Sequence, residues 1–235
     1  MLEKITEYNK ATRIPFFSFL TATPLIIFYE ISIIFLNHSD ITGLRNGADV
    51  IFKQLFSLFN IYGFYSIGLL ILIILVISYY FYSKENTRLN FRFYYFPLVL
   101  LESAIYAVLL YLIFSKIAQF DISLNLNKRL NLILAAGAGV YEEFLFRVVF
   151  ITGFVFFFNQ ILRFQRYISL ILSIILSSFI FSCFHYIGFH GDTFQLKTFA
   201  LRFFSGLYLS ILYISRGYSV AAYSHAFYDI ILIFI

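Results

Sequence analysis

The sequence predicts an all-α protein: a polytopic bundle of about seven transmembrane helices with one further helix at the membrane interface. Of the 235 residues, 61% are hydrophobic and only 12% are charged, whereas soluble domains carry about 25% charged residues. A soluble chain of this size cannot hide so much apolar surface, because much of its surface stays exposed. The apolar residues also form runs of roughly 20, the length a helix needs to cross a bilayer.

These runs follow one another along the whole chain. The first is entered by "RIP" and contains Pro24 and Glu30, the third contains Glu102, and the fourth is long enough to be tilted, bent or broken near "AAGAG". In chain order, the predicted spans cover residues 14–37, 64–83, 96–118, 130–160, 167–188, 196–214 and 218–235.

Residues 49–62, "DVIFKQLFSLFNIY", have helical periodicity with Lys53 and Gln54 on one side. This segment is too short and too mixed to span, so we expect it to lie at the interface. Internal repeats and domain linkers are not evident. The sequence therefore predicts a single integral membrane domain over residues 1–235, in which residues 130–232 form the motif-bearing helices.

The charges and the single cysteine exclude several classes of protein. The net charge of +5 comes from basic residues scattered between apolar runs, which indicates juxtamembrane anchoring and not nucleic-acid binding. A lone cysteine, Cys183, excludes an internal disulfide and a multi-cysteine metal site. The first apolar run lacks a small-residue cleavage site, so we expect no cleavable signal peptide. Lys and Arg favour a cytoplasmic N-terminus.

The stretch "GAGVYEEFLFRVVFI", residues 137–151, places three charges inside an apolar run. A charge at mid-membrane costs roughly 2.5–3.5 kcal/mol on insertion scales, and such side chains usually face the bundle interior. Positions i and i+4 share a helix face, so Glu143 can pair with Arg147 while Glu142 points elsewhere. The small residues just before allow another helix to approach closely. Alone, this pattern fits a structural ion-pair network equally well.

Two histidine motifs follow on later spans. "FSCFH" places Phe181 and His185 on one helix face, and "HAFYD" does the same for His225 and Asp229. Each motif alone also fits a pair that only holds helices together. With Glu142 they supply what water activation needs: a carboxylate base, a histidine to orient the proton, and polar groups for an oxyanion. Glu142, His185 and His225 would also serve as zinc ligands, although H-E-x-x-H is absent.

The order "EEFLFR", "FSCFH" and "HAFYD" resembles the three-motif signature of the CPBP family, the CAAX protease and bacteriocin-processing proteins, also called the ABI family. The pattern E-E-x-x-x-R, F-x-x-x-H, H-x-x-x-N/D is matched at every position within residues 130–232. Members of this family are polytopic intramembrane endopeptidases related to the type II CAAX prenyl protease. The resemblance does not extend to the first 125 residues.

The resemblance implies a role for each motif residue. Glu142 would be the general base, His185 would help to hold the water, and His225 with Asp229 would stabilise the oxyanion. The residues that would support this site are Glu143, Arg147 and Phe181. The prenyl-protease branch tends to carry Asn at the position of Asp229. A carboxyl group there either donates when it is protonated or orients a cationic His225.

We therefore expect an intramembrane endopeptidase of the glutamic type that needs no cofactor, with a zinc metalloprotease at the same residues as the alternative. Its substrate would be a peptide or a membrane-anchored protein, and its location the bacterial cytoplasmic membrane. A non-enzymatic scaffold or immunity factor is a second hypothesis, although every expected catalytic position is filled. A proton-coupled transporter is a third and predicts inverted repeats. Nucleic-acid partners are not indicated, and the sequence specifies no oligomeric state.

Overall fold

A computed structural model describes residues 2–35, 47–60, 64–84, 92–115, 128–187 and 191–235. Within these ranges every regular element is a helix, which confirms the predicted all-α class. The predicted span and helix ends at residues 36–37, 61–62, 116–118 and 188 lie outside the described residues. The single-domain organisation over residues 1–235 stays a prediction.

Nine helices occur in the described ranges. In chain order they are α1 Leu2–Arg13, α2 Pro15–Ile34, α3 Gly47–Ser57, α4 Phe64–Lys84, α5 Tyr95–Phe114, α6 Lys128–Ile161, α7 Arg166–Phe184, α8 Leu196–Arg216 and α9 Tyr218–Phe234. Each predicted span corresponds to one helix, namely α2 and α4 to α9. By length and composition, five of them can cross a membrane: α2, α5, α6, α7 and α8.

The first helices show how the chain enters the bundle. Pro15 stands at the first position of α2, where its missing N–H removes no hydrogen bond. The sequence analysis does not predict α1, which precedes α2 and carries Lys10 and Arg13 in its last turn. At 11 residues, α3 is about 16 Å long. It is therefore too short to span, as its pattern predicts.

The long helix α6 is not broken near "AAGAG". Its winding changes instead from α to π at Ala138–Glu142 and again at Phe144–Ile151, and both glutamates lie in this region. Single π turns within α-helices occur frequently at functional sites. The helix is therefore continuous here, and its wider winding is a feature that the sequence analysis does not predict.

The last helix, α9, occupies the centre of the bundle. Residues 218–226 are all buried, and α9 packs against α2, α5, α6 and α8. Gly217, between α8 and α9, has a φ of 91°, a left-handed conformation that glycine adopts readily. A Cβ there would also overlap the carbonyl of Thr12. This turn therefore brings α9 back through the core, and with it His225.

Candidate active site

The two adjacent glutamates of α6 lie inside the bundle, with Glu142 7% and Glu143 0% exposed. Glu143 Oε2 is 3.0 Å from Arg147 Nε, which is the ion pair that the i,i+4 spacing predicts. Arg147 Nη2 also donates to the carbonyl of Gly206 on α8, at 3.3 Å. The pair therefore connects α6 to α8 as well as compensating a buried charge.

Glu143 has a second partner that the sequence analysis does not anticipate. Its Oε1 lies 2.7 Å from Nδ1 of His225 on α9. Because a carboxylate can only accept, Nδ1 carries the hydrogen in this bond. Glu143 thus bridges Arg147 and His225. No local spacing in the sequence signals this contact, because it joins two helices that are far apart in the chain.

His225 and Asp229 share one face of α9, as their spacing predicts. The Nε2 atom of His225 is 3.7 Å from Oδ2 of Asp229, which exceeds the length of a direct hydrogen bond. His225 is therefore bonded to Glu143 through Nδ1, while its Nε2 faces the space beside Asp229.

His185 stands at the C-terminal end of α7 and reaches towards Glu142. Its Nδ1 is 2.9 Å from the carbonyl oxygen of Phe181. Because a carbonyl can only accept, this contact indicates that Nδ1 carries the hydrogen. In the neutral ring Nε2 is then an acceptor, and it lies 4.0 Å from Oε2 of Glu142. The two atoms are too far apart for a direct hydrogen bond.

The ring of Phe181 contacts both imidazoles and the guanidinium of Arg147. Its ring centroid is 4.9 Å from that of His185 and 6.0 Å from that of His225. The guanidinium of Arg147 lies 4.6 Å from the same ring, within the range of a cation–π contact. Phe181 therefore fixes the relative positions of the two histidines and covers the buried arginine.

Serine side chains hold α7 against its neighbours. Ser177 donates to the carbonyl of Phe146 on α6. Ser182 donates to the carbonyl of Phe199 on α8, at 2.7 Å. These hydrogen bonds connect α7, the helix that carries His185, to α6 and to α8.

An ion pair that the sequence analysis does not assign lies beyond His185. Arg202 of α8 pairs with Asp192, which is 58% exposed, and its guanidinium lies 5.2 Å from the Tyr186 ring. The backbone N–H of Asp192 donates to the carbonyl of His185, at 2.9 Å. Asp192 and Arg202 therefore lie next to His185, at an exposed end of the bundle.

A second polar cluster, formed by residues of α2 and α3, contacts α6 at Tyr141, next to Glu142 and Glu143. The Tyr141 hydroxyl donates to Glu30 on α2, at 2.7 Å. On the same helix, the Tyr29 hydroxyl donates to Asp49 on α3, at 2.9 Å, and Lys53 lies 2.8 Å from Asp49. Glu30 and Asp49 thus join α2 and α3 to the part of α6 that carries the motif.

In the described part of the chain, no group of three or more His, Cys, Asp or Glu side chains is arranged to hold a metal ion. The alternative zinc ligands Glu142, His185 and His225 are therefore not arranged as such a group.

Gly139 sets the distance between the helices that carry Glu143 and His225. A Cβ at this position would overlap the carbonyl oxygen of Ala222 and lie 2.8 Å from the Cβ of Ala226. This is the close helix approach that the small residues of "AAGAG" predict.

We expect Gly139→Ala to destabilise the protein by about 1–3 kcal/mol, the usual cost of overpacking, and to lengthen the Glu143–His225 hydrogen bond. Thermal unfolding in detergent measures the change. Gly153→Ala is the matched control on the same helix, because a Cβ there meets nothing within 4 Å. Equal unfolding temperatures for the two variants would contradict the close packing.

Comparison with known proteins bears on this same part of the chain. Residues 128–231 match the family model described as type II CAAX prenyl endopeptidase Rce1-like, which confirms the resemblance to the CAAX protease family. The matched residues begin with α6 and end within α9, and so contain all three motifs. The match supports an intramembrane endopeptidase of the CAAX type in general. Comparisons with curated proteins and with solved structures gave no significant match.

Proposed function

We propose that this multi-pass membrane protein, with its Rce1-like segment, hydrolyses peptide bonds through a water that Glu142 activates. The observation that carries the proposal is the convergence of the three motifs. His185 lies 4.0 Å from Glu142, His225 lies 2.7 Å from Glu143, and Asp229 lies 3.7 Å from His225. Buried acidic and imidazole groups on separate helices are expensive in a membrane and are usually functional.

The gap between Glu142 and His185 suits a bridging water. Two polar atoms more than 3.5 Å apart are commonly joined by one. Glu142 Oε2 and the unprotonated Nε2 of His185 would each accept one of its hydrogens. The lone pairs of the water oxygen would then face the carbonyl carbon of the substrate. In the proposed step this oxygen bonds to the carbonyl carbon as Glu142 takes one proton.

His225 is proposed to stabilise the oxyanion that this attack creates. Because Glu143 holds Nδ1–H, Nε2 is the ring atom left to face the substrate, and in the imidazolium form it donates to the oxyanion. The intermediate then collapses, the C–N bond breaks, and Glu142 returns its proton to the leaving amine. Asp229 beside Nε2 orients the ring and faces the same space.

Arg147 and Phe181 are proposed as positioning residues. Arg147 compensates the buried charge of Glu143, so that Glu143 is held where it can orient His225. Phe181 keeps both imidazoles in place by ring contacts. The two adjacent glutamates therefore have different proposed roles. Glu142 activates the water, and Glu143 holds His225 in position.

The proposed location is the bacterial cytoplasmic membrane with a cytoplasmic N-terminus. Arg202 and Arg216 are 14 positions apart on α8, about 21 Å along the helix. Arg216 lies at the end that contacts Asn9 of α1, and Arg202 lies at the end with His185 and Asp192. In this orientation the exposed side of the site, which carries Asp192, faces away from the cytoplasm. A peptide or membrane-anchored substrate would reach the site from that side.

The proposal is tested by cleavage of a pool of small peptides and membrane-anchored proteins, using the full chain in proteoliposomes with and without a chelator. We expect cleavage to persist with the chelator, within about twofold, because the proposed water is activated by Glu142 and His185 alone. Loss of cleavage that zinc restores would favour Glu142, His185 and His225 as metal ligands. A folded protein that cleaves nothing in the pool would favour the scaffold hypothesis.

A further inference from the structure

A cavity of about 600 Å³ lies between α1 and the beginning of α5, and it shares no residue with the candidate active site. Its volume is in the usual range for a bound small molecule, about 300–1,000 Å³. One wall is formed by Ile5, Tyr8 and Asn9 of α1. The opposite wall comes from α5 and the residues just before it.

The α5 wall of the cavity is apolar apart from Glu102, whose carboxylate pairs with Arg216. Leu98, Leu101 and Ile105 line it, and they recur on α5 at positions that share one helix face. The same helix begins at Tyr95 and is long and apolar enough to cross a membrane. From Tyr95 to Ile105 the rise is about 15 Å, which is half of the ~30 Å hydrocarbon core. The cavity therefore has the depth of one leaflet.

The shallow end of the cavity carries a cation. Arg92 lies just before α5, its side chain is 46% exposed, and its Nη2 is 3.1 Å from Glu7 Oε1. Its Nη1 donates to the hydroxyl of Tyr94 at 3.2 Å. Arginine and tyrosine are typical of the headgroup level of a membrane.

The described charged side chains of α1, taken together with Arg92, Glu102 and Arg216, are positive in sum. The acidic residues Glu7 and Glu102 pair with Arg92 and Arg216 respectively. The last turn of α1 adds two further basic residues, which are Lys10 and Arg13. The surroundings of the cavity are therefore complementary to an anion.

A partly buried hydrogen-bond network holds α1 in place over the cavity. The Tyr8 hydroxyl donates to Glu102 Oε2 at 2.6 Å, and Arg216 Nη2 donates to the same oxygen at 2.9 Å. Arg216 Nη1 also donates to the carbonyl of Asn9, at 3.4 Å. Because α1, α5 and α8 are tied together here, the cavity is preformed, which lowers the entropic cost of filling it.

We propose that this cavity binds one phospholipid with an anionic headgroup. Its phosphate lies at Arg92, and one acyl chain lies along Leu98, Leu101 and Ile105. The cation stands at headgroup level, the apolar wall has the depth of one leaflet, and the surrounding charge is positive. A zwitterionic lipid fits the apolar wall equally well but gains less from the charge.

Native mass spectrometry of the full-length protein in detergent tests the proposal, with phosphatidylglycerol and phosphatidylcholine of identical acyl chains as probes. We expect phosphatidylglycerol to bind more tightly. Arg92→Gln should weaken its binding about fivefold, which corresponds to the ~1 kcal/mol contributed by one basic residue at an anionic headgroup. Phosphatidylcholine binding should weaken less, because the choline cation already offsets the charge of its phosphate. The matched control is Arg166→Gln, because Arg166 is an exposed arginine at the first position of α7.

A second pair of variants tests the apolar wall. Leu101→Trp fills the cavity and should weaken binding of both lipids without changing the preference between them. Leu112→Trp is its control, because Leu112 is also exposed on α5 but does not line the cavity. Equal affinity of the wild type for the two lipids would overturn the proposal. So would equal effects of Arg92→Gln and Arg166→Gln, or displacement of the lipid by inorganic phosphate, which would indicate an anion site without acyl-chain binding.

Discussion

Glu142→Gln is expected to lower the cleavage rate by about 10²–10⁴-fold, the usual contribution of a general base. Glutamine has nearly the same shape as glutamate, so it can fill the space beside His185 but cannot take a proton from water. The measurement is the initial rate on a cleaved probe in proteoliposomes, together with thermal unfolding of the variant. The unfolding temperature should stay close to that of the wild type.

Glu30→Gln is the matched control for this experiment. Glu30 is also a carboxylate within a predicted span, and it accepts a hydrogen bond from Tyr141, the residue next to Glu142. An amide oxygen can still accept that bond, so we expect Glu30→Gln to keep most of the activity. Similar rates for Glu142→Gln and the wild type would exclude Glu142 as the base. Equal losses in both variants would indicate an effect of charge on the whole region.

Arg147→Met is expected to destabilise the protein by about 3–5 kcal/mol, the cost of removing one partner from a buried ion pair. The side chains of Arg147 and Glu143 are both 0% exposed, so neither water nor headgroups can compensate the remaining carboxylate. Activity should also fall, because Glu143 orients His225. Denaturant unfolding in detergent measures the free energy.

The double variant Glu143→Gln/Arg147→Met separates the loss of a charge partner from the loss of packing. It leaves no uncompensated carboxylate, so it should recover much of the stability that Arg147→Met loses. Its activity should stay low, because the neutral amide can still accept the His225 hydrogen bond but carries no charge to hold the imidazolium form. Arg166→Met, at an exposed arginine, is the control for removing an arginine. If the free energy of unfolding of Arg147→Met is less than about 1 kcal/mol below that of the wild type, the ion pair contributes little to stability.

Much of the fold is predictable from local pattern. Runs of about 20 apolar residues specify the spans, because every backbone polar group inside a bilayer must be bonded within its own helix. Pro15 and the basic residues of α1 mark the entry to the first span. The helix α1 itself escapes prediction, since its pattern is polar and a short isolated helix is only marginally stable without tertiary contacts.

Which side chains share a helix face is also predictable. The spacing of four residues brings Glu143 to Arg147, Phe181 to His185, and His225 to the same side as Asp229. The change from α to π winding in α6 is not predictable in this way.

The all-helical membrane bundle, its spans and the three motifs are predictable without the structure, because they depend on the length of apolar runs and on positions within one helix. By contrast, the Glu143–His225 hydrogen bond and the cavity that α1 closes against α5 are visible only in the folded protein. These contacts join residues far apart in the chain. They form where Gly139 lets α6 meet α9 closely and where Glu102 pairs with Arg216. Their geometry follows from packing between helices, which spacing within one helix does not encode.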